Sequence, residues 1–218
     1  MADFDARIGA AHNSAKVPSA PLARTEVFLP VVSANYLHTT SSRYYTSTAF
    51  TYNFWVGCNQ GAVWPDQASG VIILDFGEPY YLDGHYGTLM WPYPPVNFRS
   101  IEEIEDTVKY YIAGFVNCAL DSSGHQKWGT VYVAAGVNNS GPYVGADHGA
   151  AWAMMVNNIN QFLAVQAGAE GIVARGAFDA EPTFGFAAPA NYWADGYSQT
   201  HQGESLYYNF GSCDGCPT

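Results

Sequence analysis

Short apolar runs that alternate with stretches of helical spacing constrain this chain more than any other feature. Residues 71–76 are apolar except for Asp75, residues 130–135 form a second run closed by Gly136, and residues 171–178 form a third. Runs of this kind suit strands covered on both faces, as in parallel sheets. Between the first two, Ile101, Ile104, Val108, Ile112 and Phe115 recur at spacings of three and four, which is the apolar stripe of a helix. Ser100 and Glu103 form a capping box at its start, and the acidic residues 102, 103, 105 and 106 sit where the helix dipole favours them. Asp147 is placed to cap a second helix over 148–166, with Trp152, Met155, Ile159, Phe162 and Leu163 turned inward. Residues 189–197 read as a short third helix, with Trp193 and Tyr197 four apart, and residues 206–210 as a last strand. Residues 44–56 are rich in β-branched and aromatic types, which predicts a first strand ended by the turn at 57–61. The resulting order, β-β-α-β-α-β-α-β, argues for βαβ units and a parallel sheet.

Composition narrows the function classes. The 218 residues include 8 Lys and Arg against 19 Asp and Glu, a formal charge of −11. Only 12% of the chain is charged, against roughly 25% in average soluble domains. Eight cations can hardly build the basic face that phosphate backbones require, so nucleic acid is disfavoured as a partner. The 16% of aromatic residues excludes disorder over the whole chain and is enough for one sizeable core. No apolar run approaches the roughly 18 to 20 residues of a membrane span.

Low Lys and Arg content, abundant Tyr, Asn and Gly, and an even number of cysteines suggest an exported, extracellular protein. Cys58, Cys118, Cys213 and Cys216 allow three disulfide connectivities. One closes a tight local loop at 213–216 and leaves Cys58 with Cys118. A redox role for the CxxC is weaker, because catalytic motifs of this kind open a helix after a strand. A zinc site would need two further ligands, and neither His148 nor His201 stands at finger-like spacing. Neither a cofactor nor a metal is called for. Met1 is followed at once by Ala2, Asp3, Phe4 and Asp5, with no basic or apolar leader region, so secretion implies a leader missing from this chain. Residues 1–26 are rich in Ala, Ser and Pro and read as a flexible N-terminal linker ahead of a domain at 27–218. Residues 27–32 (Val-Phe-Leu-Pro-Val-Val) resemble a short segment that precedes domains of secreted bacterial proteins. Pro30 equally fits an edge strand.

In parallel α/β folds, ligands bind beyond the carboxyl ends of the strands. Polar groups gather at those positions: Cys58, Asn59 and Gln60; Asp75 and Glu78; Asn138, Asn139 and Ser140; Asp179 and Glu181; and Asn209. Asp179 and Glu181 form an Asp-x-Glu pair that an extended chain puts on one face. Two nearby carboxylates repel, and one tends to keep its proton, which suits acid catalysis at a glycosidic bond. On this expectation Glu181 is the acid and Asp179 its partner, with Asp75 a further catalytic carboxylate. Glu78, Asn138, Trp91, Trp193 and Tyr208 then bind substrate, the aromatics by stacking on sugar faces. Strand-end carboxylates also cap helices or hold calcium, and single aromatics more often pack cores. The sequence contains no G-x-S-x-G nucleophile elbow and no zincin motif.

Segments 71–79, 133–141, 148–160, 176–185 and 192–197, with the Gly-Cys pair at 57–58, resemble a group of uncharacterised secreted bacterial proteins described as glycoside-hydrolase-like (β/α) barrels. The Asp179-Ala180-Glu181 step is also similar to the Asp-x-Glu of family 25 muramidases. The resemblance implies a TIM-barrel-like parallel (β/α) fold. Eight-stranded barrels take about 250 residues, so a partial or truncated barrel is expected here, with more chain normally following Cys216. Such a barrel leaves two open sheet edges, so that it would form a homo-oligomer through them, be closed off by its N-terminal segment, or be poorly active. The functional expectation is a secreted glycoside hydrolase acting on a polysaccharide. Its alternative is a non-catalytic carbohydrate-binding or extracellular self-assembling module.

Overall fold

A computed structural model describes residues 38–40, 50–89, 98–138, 143–179, 187–203 and 207–209. The elements follow in the order β1 (His38–Thr40), α1 (Phe50–Ala62), β2 (Gly70–Asp75), β3 (Glu78–Leu82), β4 (His85–Leu89), β5 (Phe98–Ser100), α2 (Ile101–Cys118), β6 (Val131–Asn138), α3 (Ala146–Leu163), β7 (Ile172–Asp179), α4 (Ala187–Thr200) and β8 (Tyr207–Asn209). Five strands form one sheet in the order β1-β2-β6-β7-β8, and every pairing in it is parallel. β3, β4 and β5 form a second, antiparallel sheet.

Sequential parallel pairing with right-handed crossovers puts every connecting helix on the same face of the sheet. The core lies on that face. Ile72, Leu74, Val133, Val137, Ala174 and Phe178 pack there against Ile104, Val108, Phe115, Trp152, Ile159, Trp193 and Tyr197. The alternate residues Val71, Ile73, Tyr132, Val173 and Arg175 on the other face are only half buried. There the Arg175 guanidinium lies 4.0 Å from the centre of the Tyr132 ring.

The barrel expectation does not hold. Among the described residues β1 pairs only with β2 and β8 only with β7, so the five-stranded sheet is open. Closure requires the first and last strands to bond to each other around a side-chain-filled interior, which roughly eight strands achieve. The edge along β7 is nevertheless not bare. Among the described residues β8 covers 207–209 and pairs only with residues 177–179. Upstream of it, the Asn160 amide donates to Ala174 O at 2.8 Å and accepts from Ala174 N at 2.8 Å. The Tyr197 hydroxyl accepts from Gly176 N at 2.8 Å. Side chains thus take the place of a strand partner there, one of the ways a sheet edge is blunted.

The strand expected at 44–56 is corrected from residue 50 on, since residues 50–62 are helical, while 44–49 lie outside the described residues. Its buried positions, Asn53, Gly57, Gln60 and Gly61, follow helical spacing. The two glycines allow backbone contact with α2. A Cβ on Gly57 would stand 1.9 Å from Tyr111 O, and one on Gly114 would stand 1.9 Å from Phe54 O. Tertiary contact of this closeness overrides the β propensity of the segment. The Cys58–Cys118 disulfide joins the same two helices, with Cα atoms 4.9 Å apart. Cys213 and Cys216 lie outside the described residues.

The capping box forms as expected. Glu103 N donates to Ser100 Oγ at 3.3 Å, and Ser100 N donates to Glu103 Oε2 at 3.1 Å. Asp147 does not cap α3. Gly145 is its N-cap and Asp147 lies in the first turn. The small sheet starts from an Asp83-Gly84 hairpin in which both residues have positive φ (49° and 91°) and Leu82 pairs with His85. Two such residues let a two-residue turn match the strand twist.

Candidate functional site

The carboxyl ends of β2, β6, β7 and β8 meet along one edge of the large sheet. Register sets Asp75 beside Gly136, Asn138 beside Asp179, and Asp179 beside Asn209. Alternation puts Asp75, Asn138 and Asp179 on the face away from the helices, because their neighbours Leu74, Val137 and Phe178 belong to the core. All three are half buried. Asn138 N also donates to Gly77 O at 3.0 Å, which ties the end of β6 to the root of the small sheet.

The expected site residues fare differently. Asp179 and Asn138 are brought together. Asp75 joins the same edge, but its Oδ1 accepts from Gly77 N at 2.9 Å and so holds the turn into β3. Glu78 opens β3 opposite Leu89. Cys58, Asn59 and Gln60 lie within α1 and not at a strand end. Tyr208 stands in register with Phe178, one residue from the Asp179–Asn209 pair. Glu181 and Trp91 lie outside the described residues. Trp193 is 0% exposed. Its Nε1 donates to His148 Nδ1 at 2.9 Å, and Phe178 and Tyr197 pack against its ring. No sugar can reach that ring.

A cluster of tyrosines beside this edge escaped the sequence reading. Tyr80 and Tyr81 on β3, Tyr86 on β4 and Tyr143 ahead of α3 pack together. The Tyr80–Tyr143 centroids are 5.1 Å apart, Tyr81–Tyr86 4.9 Å and Tyr81–Tyr143 6.0 Å. Burial first, and then the neighbouring charge of Asp147, push the Tyr86 hydroxyl above its ordinary range. The Asp83-Gly84 pair between Tyr81 and Tyr86 was the available signal, since Asp-Gly between β-type residues marks a hairpin.

His148 fixes this cluster to the core. It is 1% exposed and stacks on Trp152 with centroids 5.6 Å apart. Its Nε2 lies 2.7 Å from Gly87 O, while its Nδ1 accepts from Trp193. An acceptor at one nitrogen and a donor at the other define the neutral ring protonated at Nε2. Burial lowers its pKa to about 4.

Among the described residues no group of three or more His, Cys, Asp or Glu is arranged to hold a metal ion, and no helix is long and apolar enough to cross a membrane. A cleft of about 670 Å³ lies at the opposite end of the molecule, between Val116, Leu120, His125 and Glu170, remote from the strand-end residues. No family model matches this sequence, and no curated protein or solved structure matches it. The resemblance to secreted bacterial glycoside-hydrolase-like barrels and to family 25 muramidases is therefore not sustained. The hydrolase, glycosidase, TIM-barrel, carbohydrate, secreted and bacterial labels lose the support it lent them, while the disulfide stands on the structure itself.

Proposed function

We propose that the carboxyl-terminal edge of the large sheet is a ligand site for a saccharide, and that the chain is a non-catalytic polysaccharide-binding module. The observation that carries this reading is the adjacent, half-buried pair Asn138 and Asp179, in register on the face away from the helices. An amide that donates and accepts, beside a carboxylate that accepts, is the chemistry that reads vicinal hydroxyls. Hydrolysis by paired carboxylates would need Glu181 beside Asp179, whereas binding rests on the described residues alone. The Cys58–Cys118 disulfide supports an extracellular setting, because oxidising compartments are where such bonds persist. A second copy would pair through an open edge of the five-stranded sheet. Sedimentation at several concentrations measures that association.

The test is calorimetric titration with neutral disaccharides and hexasaccharides of glucose, mannose, xylose and N-acetylglucosamine. At least one series should bind, and Asp179→Asn or Asn138→Ala should weaken it by roughly tenfold or more, the loss of one to two hydrogen bonds. Binding by neither length of any series, or unchanged binding by both variants, overturns the reading. Reducing-end release abolished by Glu181→Gln would refute the non-catalytic assignment.

A further inference from the structure

The second sheet has a surface that the strand-end pair does not explain. Tyr81 and Tyr143 are 38% and 40% exposed, although both are large aromatic residues. They belong to different elements, yet their ring centroids lie 6.0 Å apart at 43°. Each is backed by further rings. Tyr86 supports Tyr81, and Tyr80 meets Tyr143 edge-on and also packs on Phe98. Tyr86 rests in turn edge-on against the buried His148. Aromatic rings held on two sides by other rings lose little further freedom when a ligand arrives, so their contact area converts efficiently into affinity.

Continuity links this surface to the strand ends. The chain passes from Asp75 through Gly77, bonded to Asn138 N, directly into β3 with Tyr80 and Tyr81. Tyr143 follows β6 in the chain, five residues beyond Asn138 and just ahead of α3. Charge narrows the occupant further. Glu78, Asp83 and Asp147 lie on or beside the two elements, while His85 and Arg99 already face Glu102 and Glu103. With a formal charge of −11 overall, this surface repels polyanions.

We propose that Tyr81 and Tyr143 form a stacking subsite on which a neutral polysaccharide lays successive pyranose rings as it runs outward from Asn138 and Asp179. This rests on the saccharide reading of the strand-end pair and deepens it, because it makes the ligand an extended, uncharged chain rather than a single sugar. A tyrosine ring offers an apolar face and a hydroxyl at its rim, which matches the C–H face and equatorial hydroxyls of a pyranose. Proline-rich peptides also dock on tyrosine clusters. They would make no use of the adjoining Asn138–Asp179 pair, so the saccharide is the favoured occupant.

The experiment compares a disaccharide with a hexasaccharide of whichever neutral series binds, in the wild-type chain and in Tyr81→Ala, Tyr143→Ala, Tyr81→Phe and Tyr143→Phe. The wild type should bind the hexasaccharide roughly tenfold more tightly, with each ring contributing a factor of about three. Each alanine variant should lose its share of that gain and keep its affinity for the disaccharide. The phenylalanine variants should retain most of the gain. Alanine variants that keep the full length dependence, or a wild type without one, overturn the subsite while leaving the strand-end site standing. Failure of every neutral saccharide to bind overturns both. Tighter binding of an oligogalacturonate or of a proline-rich peptide than of any neutral hexasaccharide refutes the assigned occupant. Circular dichroism of each variant shows whether the fold survives, and Tyr81→Ser and Tyr143→Ser, which should lose the same gain, replace an alanine variant that does not fold.

Discussion

Acidification from pH 7 to pH 5 should destabilise this protein through one residue, His148. The ring is neutral in the fold because it accepts from Trp193 Nε1 while its own Nε2–H faces Gly87 O. Protonation would set two N–H groups against each other in a site 1% exposed. The folded pKa, lowered to about 4, lies below the unfolded value of 6.5. The unfolded chain therefore binds the proton first, and stability falls as pH drops through the interval between the two values. Linkage at these values removes about 2 kcal/mol between pH 7 and pH 5, and about 3 kcal/mol once pH 4 is passed. The carboxylates of Glu102, Asp121 and Glu170 are held below their ordinary values of 4.5, 3.8 and 4.5, so their contributions are lost only as pH falls below those values. Asp106 acts in the opposite sense, since burial raises its pKa and its protonation relieves a cost. The assay is urea unfolding followed by tryptophan fluorescence at pH 7, 6, 5.5 and 5. A loss of about 2 kcal/mol should move the midpoint by roughly 1 M. His148→Gln lowers stability at every pH by removing the ring contacts, but it should flatten the pH dependence. An unchanged wild-type midpoint between pH 7 and pH 5, or an equal fall in His148→Gln, would refute the assignment.

Two other perturbations have definite expected outcomes. Asn160→Ala removes both side-chain bonds to Ala174 and leaves a backbone N–H and C=O on the β7 edge without them. It should cost about 2–4 kcal/mol in thermal or urea unfolding and increase self-association in sedimentation, and a neutral result would show that the edge needs no cover. Reduction of Cys58–Cys118 releases a loop with a sequence separation of 60, worth about 4 kcal/mol by chain entropy. The urea midpoint should fall with reductant in the wild type, and any residual response of the Cys58→Ser/Cys118→Ser variant belongs to other cysteines.

Why some elements were legible in the sequence and others were not follows from where their buried residues come from. α2 was readable because Ile101, Ile104, Val108, Ile112 and Phe115 carry its period, and the Ser100–Glu103 box marks its start. β2 and β6 are legible as largely apolar runs, and β7 as a β-type stretch interrupted by Arg175. α1 was not, because its inward positions are Asn53, Gly57, Gln60 and Gly61, which no hydrophobicity pattern scores as core. Only a partner helix close enough to touch its backbone gives those residues their meaning. Trp193 was misjudged for a related reason. Its spacing from Tyr197 identified the helix, but not that the shared face meets His148 and Phe178 rather than ligand. The tyrosine cluster was missed because it joins three segments, and only the Asp83-Gly84 turn announces one of them.

The gathering of strand ends did not depend on the barrel that the resemblance implied. Parallel strands joined by right-handed crossovers all point the same way, so their carboxyl ends share one edge whether or not the sheet closes. Closure adds a second constraint, the pairing of first and last strands, and among the described residues the five-stranded sheet does not meet it. What it would have supplied is an enclosing wall around the strand ends. In this chain the small sheet takes part of that place, rooted at Gly77 and fastened to α3 through the bond between His148 and Gly87 O. A ligand that uses the strand-end pair and the tyrosine surface together, as proposed, must span both, so dependence on ligand length is the property on which the proposal stands or falls.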